Sequence, residues 1–479
     1  MIVRRFFHPR LAQSSYLIGC STSREAIVLD PLRYVDPYLA AASAEGVRIT
    51  AVSETHVHAD FLSGSPELAL RTGAQLYLSG EGRGPWSYSE EYIRESRAML
   101  LHDAYVIRVG SVRVDVVRTP GHTPEHLTFL ITDTAGASEP MAAVTGDFVF
   151  VGDVGRPDLL ERAVHVAGSA DGAARQLFHS LERLAGYTDY LQIWPGHSAG
   201  SACGKGLSAV PHSTLGYERR HNWAFRLEDE ESFVAEVLEG QPEPPVYFAA
   251  MKGANAQGPP PWSKVTLPCV VTAQAVAAAV AGGAIVVDTR PADEYAAGHL
   301  ARTMNIPLDR SFLNWAGSLI PSESVIMLVG TESALPEAAR DLALIGLDHV
   351  VGIAGVQALD AWRRDGETFT NVPETGVAEV ASRLRAAHLT LIDVRHASEW
   401  AAGHIPDALH VPLSALPARI DAIPRDKPVV VHCQHGQRAI IAAGVLQAAG
   451  FKNIECLRGG FAAWQAAGQT VIADSAATV

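Results

Sequence analysis

Along the first 250 residues, short apolar runs are separated by turn-forming stretches, and most read as strands. The chain opens on a strand at its first residues and continues through Ser15–Gly19, Glu25–Asp30 and Arg48–Ser53; a helix begins at Pro66–Arg71, and strands return at Val112–Val117, Leu127–Ile131 and Ala142–Val144. Strands mixed with helices in this way predict two sheets packed between helices over residues 1–250. A glycine- and proline-rich stretch, 251–264, predicts a linker. Beyond it the pattern repeats at a constant offset of 105 residues: Asp288 answers Asp393, His299 answers His404 and Pro307 answers Pro412. Each copy has a strand ending in Asp-x-Arg, a helix, a Gly-His turn, a buried strand (Val325–Val329 or Val429–His432) and a closing helix at Trp362 or Trp464. Alternating strands and helices predict a parallel sheet in each, over residues 265–370 and 371–479.

Composition narrows the function. A chain of 479 residues exceeds one core and suits about three domains. A formal net charge of −14 argues against nucleic acid and anionic membrane surfaces as partners, and leaves small anions to local pockets. No apolar run is long enough for a signal segment or a membrane span. Five cysteines, an odd number without close-spaced pairs, argue against a disulfide framework and for a reducing cytoplasm. A homo-oligomer is left open.

The candidate chemistry is concentrated in two places. Thr55-His56-Val57-His58-Ala59-Asp60-Phe61 puts two imidazoles and a carboxylate just past a strand, half of a metal site by residue type. Thr119-Pro120-Gly121-His122 and Val144-Thr145-Gly146-Asp147 each add a ligand-type side chain past another strand. Together with Trp194-Pro195-Gly196-His197, these motifs resemble the metallo-β-lactamase superfamily in chain order. The resemblance implies an αβ/βα sandwich. Phe61 departs from the pattern, because binuclear zinc hydrolases of that superfamily carry a second histidine there. The closer likeness is to the persulfide dioxygenase branch, which implies one Fe(2+) per chain on His56, His122 and Asp147, with His58, Asp60 and His197 orienting ligands or substrate; Zn2+ remains the alternative. Arg156 is open between a substrate carboxylate and a surface ion pair. The Gly200–Gly206 loop is open between a phosphate- or thiol-contacting loop and a tight turn, with Cys203 expected to be inert.

The second place is Cys433-Gln434-His435-Gly436-Gln437-Arg438, a loop between a buried strand and a helix N-terminus. Such a loop aims backbone N–H groups at one point, and with His432, His435 and Arg438 nearby it favours a nucleophilic Cys433 thiolate. Related phosphatase loops have one more residue and a wider cradle. The copies resemble rhodanese domains, which makes Cys433 the sulfur-carrying residue and Gln434, His435, Gly436, Gln437 and Arg438 its substrate-binding loop. The first copy has Val329-Gly330-Thr331-Glu332-Ser333-Ala334 there and cannot do thiol chemistry. Asp288, Arg290, His299 and their partners in the second copy recur regardless, and are expected to be framework.

The sequence thus resembles an α/β persulfide dioxygenase fused to an inactive and an active rhodanese-like parallel-sheet domain. Its expected partners are a small-thiol persulfide of glutathione or coenzyme A type, O2, and sulfite or thiosulfate. The alternatives are a zinc-dependent thioester or lactone hydrolase with a sulfurtransferase tail, and a non-enzymatic sulfur carrier.

Overall fold

The computed structural model describes residues 1–82, 84–164, 168–365 and 369–473. It divides into two compact units, Met1–Lys264 with Ala343–Gly346, and Val265–Leu342 with Leu347–Val479. Residues 474–479, assigned to the last domain, lie outside the described residues.

The first unit holds two six-stranded sheets, each in simple sequence order at its core. The first runs β1 (Ile2–His8), β2 (Gln13–Cys20), β3 (Glu25–Leu29), β4 (Arg48–Ser53), β5 (Gln75–Ser79) and β6 (Met99–Leu101). The second runs β7 (Val106–Val109), β8 (Val112–Arg118), β9 (Leu127–Asp133), β10 (Ala142–Gly146), β11 (Gln192–Pro195) and β12 (Ser213–Thr214). Successive residues of a strand face opposite sides, so one strand feeds two cores. Tyr16 and Ile18 of β2 join Val112, Val114, Val116, Phe129 and Trp194 between the sheets. Leu17 of the same strand turns outward to Tyr38, Ala42 and Leu68 of the covering helices. Val117, Leu130 and Ile193 do the same on the other side, against helix Ser169–Glu182. The result is a helix–sheet–sheet–helix sandwich, as the strand pattern predicts.

The stretch expected to be a linker is part of this unit. Phe248–Gln257 is a helix, and its buried face includes Phe248, Met251, Lys252 and Asn255. Asn255 donates to the carbonyls of His58 and Phe61 at 2.8 and 2.7 Å and accepts from Ser63 N at 2.9 Å. Glycine and proline flank this helix, and composition alone hides it inside them.

The second unit carries β13 (Cys269–Val270), β14 (Ile285–Asp288), β15 (His299–Leu300), β16 (Met304–Asn305), β17 (Ile326–Gly330), β18 (Val350–Gly355), β19 (Phe369–Thr370), β20 (Glu374–Thr375), β21 (Thr390–Asp393), β22 (Leu409–His410), β23 (Val429–His432) and β24 (Ile454–Leu457). Its two five-stranded sheets have orders β13-β18-β17-β14-β16 and β20-β24-β23-β21-β22, the same order twice, with parallel pairing throughout. The repeat of 105 residues is therefore a repeat of topology. Its shared residues make the same contacts twice. Arg290 clasps Asp288 and donates to Gly298 O, as Arg395 clasps Asp393 and donates to Gly403 O. His299 stacks on Tyr295 at 3.6 Å, as His404 does on Trp400 at 3.6 Å.

Replacing Asn255 by alanine leaves three buried backbone groups without partners, at about 1 kcal/mol each. The variant is expected to lose about 3 kcal/mol in a denaturant titration that follows the first unit, and a chain ending at residue 250 is expected not to fold.

Candidate metal centre and thiol loop

Four strand ends converge at one edge of the sandwich. His56 follows β4, His122 lies between β8 and β9, Asp147 follows β10 and His197 follows β11. The aim of Asp147 is set by a register shift between Val144 and Gly146 in the β10–β11 pair. Gly146 has φ +49°, and a Cβ there would strike Thr55, so the tight turn that delivers the carboxylate needs glycine.

One ligand atom each from His56, His122 and Asp147 lies within 4.8 Å of the others, and all three residues are buried. His122 Nε2 is 3.4 Å and His56 Nε2 3.9 Å from Asp147 Oδ2. Neighbouring groups hold the imidazoles in the required tautomer. His122 Nδ1 donates to Arg156 O at 2.9 Å. His56 Nδ1 contacts Thr55 Oγ1 at 3.0 Å, and that hydroxyl in turn donates to Asp30 Oδ2 at 3.0 Å. Each ring therefore points an Nε2 lone pair inward. Burial first, then neighbouring positive centres, holds both histidines well below the ordinary imidazole range, so both are neutral. Burial also pushes the Asp147 carboxyl up to about 6, against His197. Its Oδ2 is buried without a hydrogen-bond partner. Two neutral nitrogens and an unpaired carboxylate oxygen sharing one space fit a divalent cation.

The expected orienting residues divide. Burial works against the charge of His58, but the Asp30 carboxylate at 3.0 Å overrides it and raises His58 to about 9. Asp60 and His197 approach each other at 3.3 Å, and His197 Nε2 is 3.5 Å from Asp147 Oδ1. With Cys203 they form a second buried group whose ligand atoms lie within 4.8 Å. The Cys203 thiol is pushed up by burial, then by the Asp147 and Asp60 carboxylates, and so stays protonated. His126 is a residue that motif reading misses: its Nε2 accepts from Asp147 N at 3.1 Å, and burial lowers it to about 3.

Two open readings are resolved, Arg156 against both of its options and the Gly200–Gly206 loop in favour of a turn. Arg156 is neither at the surface nor free for substrate; it is fully buried, bidentate on Asp158 at 2.7 and 2.9 Å, and donates to Ala202 O. The Gly200–Gly206 loop turns its amides onto Asp153, with Lys205 N and Gly206 N at 3.0 and 2.6 Å, so no phosphate is called for there. A lone arginine or a glycine-bearing loop does not reveal which distant carboxylate will claim it.

In the second unit Cys433 follows β23 directly, and helix Gln437–Ala448 begins four residues later, with Gly436 as its N-cap. Gly436 N donates to Cys433 Sγ at 3.1 Å. The Cys433 carbonyl accepts from Phe461 N at 2.7 Å, and a Cβ on Gly460, at φ +61°, would strike that carbonyl. His435 and Gln437 are exposed, and with Gly436 they border a cavity of about 610 Å³. Gln434 sits 3.5 Å from Arg395. One expectation is corrected here. His432 is buried beside Asp393 and lowered to about 4 by burial, so it brings no positive charge to the thiol. Arg438 is paired: its terminal nitrogens hold Glu399 at 2.6 and 2.8 Å, and its guanidinium also interacts with the Cys433 sulfur. Partial burial would raise Glu399, but Arg438 overrides it and holds the carboxyl at about 2.

Comparison with known proteins agrees with this geometry. Residues 8–197 match the family model of the metallo-beta-lactamase superfamily, and residues 376–467 match that of the rhodanese-like domain. A crystal structure of a metallo-beta-lactamase from Staphylococcus aureus is 40% identical, covers 74% of this chain and 99% of its own, and has a TM-score of 0.67. The human mitochondrial persulfide dioxygenase ETHE1 is 29% identical over 41% of this chain and 68% of its own. A probable metallo-hydrolase of Burkholderia pseudomallei is 28% identical over 49% of this chain and 84% of its own. Among the described residues no helix is long and apolar enough to cross a membrane.

Removing the hydroxyl that orients His56, with Thr55→Val, is expected to weaken metal binding about 10-fold in a chelator competition; His122→Ala and Asp147→Ala are expected to leave less than a tenth of the bound metal in elemental analysis. The Glu399–Arg438 pair adds a pH dependence. A carboxyl lowered from 4.5 to about 2 stabilises the fold above its unfolded value, and that contribution is lost as pH falls from 4.5 towards 2. Unfolding of the second unit should thus be less acid-sensitive in Glu399→Gln, which loses stability at pH 7 but has little more to lose at pH 3.

Proposed function

This chain belongs to the metallo-β-lactamase superfamily, and we propose that it is an iron-dependent persulfide dioxygenase whose C-terminal rhodanese-like domain is a sulfurtransferase. The observation that carries the reading is the donor set: two neutral imidazoles and one carboxylate, with Phe61 where a histidine would be needed to complete a binuclear zinc pair. When bound, ferrous iron supplies adjacent open positions for a persulfide sulfur and for dioxygen. His56, His122 and Asp147 would hold it. Thr55 and the Arg156 carbonyl fix the rings, and the buried walls keep bulk water from competing for the site. The overall change is balanced: a persulfide, O2 and water give the free thiol, sulfite and two protons.

In the second step the Cys433 thiolate attacks the terminal sulfur of a persulfide, the sulfur–sulfur bond to the carrier breaks, and the carrier leaves as its thiolate. Sulfite then takes the terminal sulfur from Cys433, leaving as thiosulfate and restoring the thiolate. The short loop, with Gly436 N on the sulfur and Arg438 neutralised by Glu399, suits a single sulfur better than a doubly charged phosphate. Carrying both reactions on one chain raises the local concentration of sulfite at the transferase.

A second reading, a zinc-dependent hydrolase, is favoured by the Asp60–His197–Cys203 group beside the first cluster and by the hydrolase relatives. There a metal-bound water attacks a thioester or lactone carbonyl.

Oxygen uptake decides between them. Iron-loaded protein given glutathione persulfide or coenzyme A persulfide should consume O2 and release sulfite, and His122→Ala should abolish both. No uptake with either persulfide at full iron content, with thioester cleavage by the zinc form, would replace the dioxygenase reading with the hydrolase. Cys433→Ser should leave oxygen uptake intact and shift the products from thiosulfate to sulfite; an unchanged ratio would refute the coupling.

A further inference from the structure

We infer that Lys252 is the anion receptor of the first unit, and that it takes a carboxylate or phosphate on the carrier thiol while the reacting sulfur sits at the metal centre. The inference rests on the persulfide reading for the identity of its ligand, and on the following geometry for its position. Lys252 lies on helix Phe248–Gln257 and is only 7% exposed. Its Nζ lies over the Trp86 ring at 3.1 Å from the centroid. Among the described residues no carboxylate pairs with it and no acceptor takes a hydrogen bond from it. A buried ammonium over an aromatic face has lost its hydration, and the one carboxylate whose charge it feels, Glu125, makes neither a hydrogen bond nor an ion pair with it. A lysine merely covering apolar surface keeps its ammonium in water. This one does not.

The position is fixed on two sides. Asn255, three residues further along the same buried helical face, holds the carbonyls of His58 and Phe61 and the amide of Ser63, all in the metal loop. Residues three apart are neighbours on a helix surface, so Lys252 stands one step aside from the metal loop. On the other side, Ser89 N donates to Ala256 O at 2.7 Å, tying the segment that carries Trp86 to the same helix. The acid whose charge reaches it, Glu125, is held by Val57 N on Oε1 at 3.1 Å, while its Oε2 is buried without a hydrogen-bond partner. The lysine stays mostly protonated at neutral pH, since burial lowers it only to about 8 and Glu125 opposes the fall. A cation set beside the metal position gives a second anchoring point, offset from the reacting atom, and this suits the anionic end of a thiol carrier.

The test separates this site from the chemistry by measuring binding to the zinc-loaded protein, in which no oxidation occurs. Glutathione and coenzyme A, both anionic, and 2-mercaptoethanol, which has no anionic group besides its sulfur, are titrated calorimetrically into wild type, Lys252→Met, Lys252→Gln and Lys252→Arg, each at equal metal content and with its melting temperature checked. Loss of the charge is expected to weaken an anionic thiol about 10-fold and 2-mercaptoethanol by less than about twofold, with Lys252→Arg recovering most of the loss. In the iron form the same variants should raise KM for glutathione persulfide by a similar factor and leave kcat within about twofold. Equal weakening of the neutral and anionic thiols, or a fall in kcat with KM unchanged, would place the ammonium at the reacting sulfur and overturn the assignment; so would wild-type affinity for both anionic thiols in Lys252→Met and Lys252→Gln. If the iron protein consumes no oxygen, the persulfide reading fails, while the zinc-form titrations still decide whether Lys252 receives an anion.

Discussion

A carboxylate that is not among the candidate metal ligands sets the geometry of those that are. Asp30 caps β3, accepts Thr55 N at 2.7 Å and the Thr55 hydroxyl at 3.0 Å, and pairs with His58 at 3.0 Å. Through Thr55 it determines which nitrogen of His56 faces inward, and by claiming His58 Nε2 it separates the two histidines of one motif into different roles. Asp30 is itself 1% exposed, at the meeting point of β3 and β4, so the sandwich must close before the site exists. The coupling runs the other way as well. Neutral imidazoles and an unpaired Asp147 oxygen are costly to bury without a cation, so bound metal stabilises this edge of the fold by mass action.

The thiol loop solves a similar problem with opposite means. At the metal edge, burial removes charge from the histidines so that their lone pairs are available. Around Cys433 the charges are retained but paired, Arg395 with Asp393 and Arg438 with Glu399, and the sulfur receives the Gly436 amide as well as the Arg438 guanidinium. A loop whose arginine is already neutralised offers little to a doubly charged oxyanion.

Much of this was legible in the sequence, for identifiable reasons. Metal ligands past strand ends announce themselves, because few other arrangements put His56, His122 and Asp147 beyond successive apolar runs in this order. The strand alternation and the 105-residue repeat were equally plain, since both are periodic. What was missed is what periodicity does not carry. The helix Phe248–Gln257 lies in a stretch of alanine, glycine and proline, so Lys252 and Asn255 looked like linker. Arg156 and the Gly200–Gly206 loop stayed open between ligand contacts and structural roles, because the acids that engage them, Asp158 and Asp153, are assigned by folding rather than by spacing. His432 looked like a helper of Cys433, but strand alternation turns its side chain away into the core, where burial discharges it.

The repeat also separates framework from chemistry within a single chain. Both copies keep the Asp-x-Arg clasp onto the Gly-His turn and the aromatic stack under the histidine, with the same partners and the same 3.6 Å spacing. Only one keeps the cysteine and the loop arginine; in the other, Val329 pairs with Asp288 as His432 pairs with Asp393, so Gly330, rather than the expected Val329, stands at the cysteine position. Residues common to both copies therefore cannot be explained by thiol chemistry, since one copy has none. They are explained by the turn that Arg290 or Arg395 closes, which joins the second strand of each sheet to the helix after it. Glu399 recurs as Glu294 at the repeat spacing, so the carboxylate by itself does not mark the thiol loop; its pairing with the loop arginine Arg438 does.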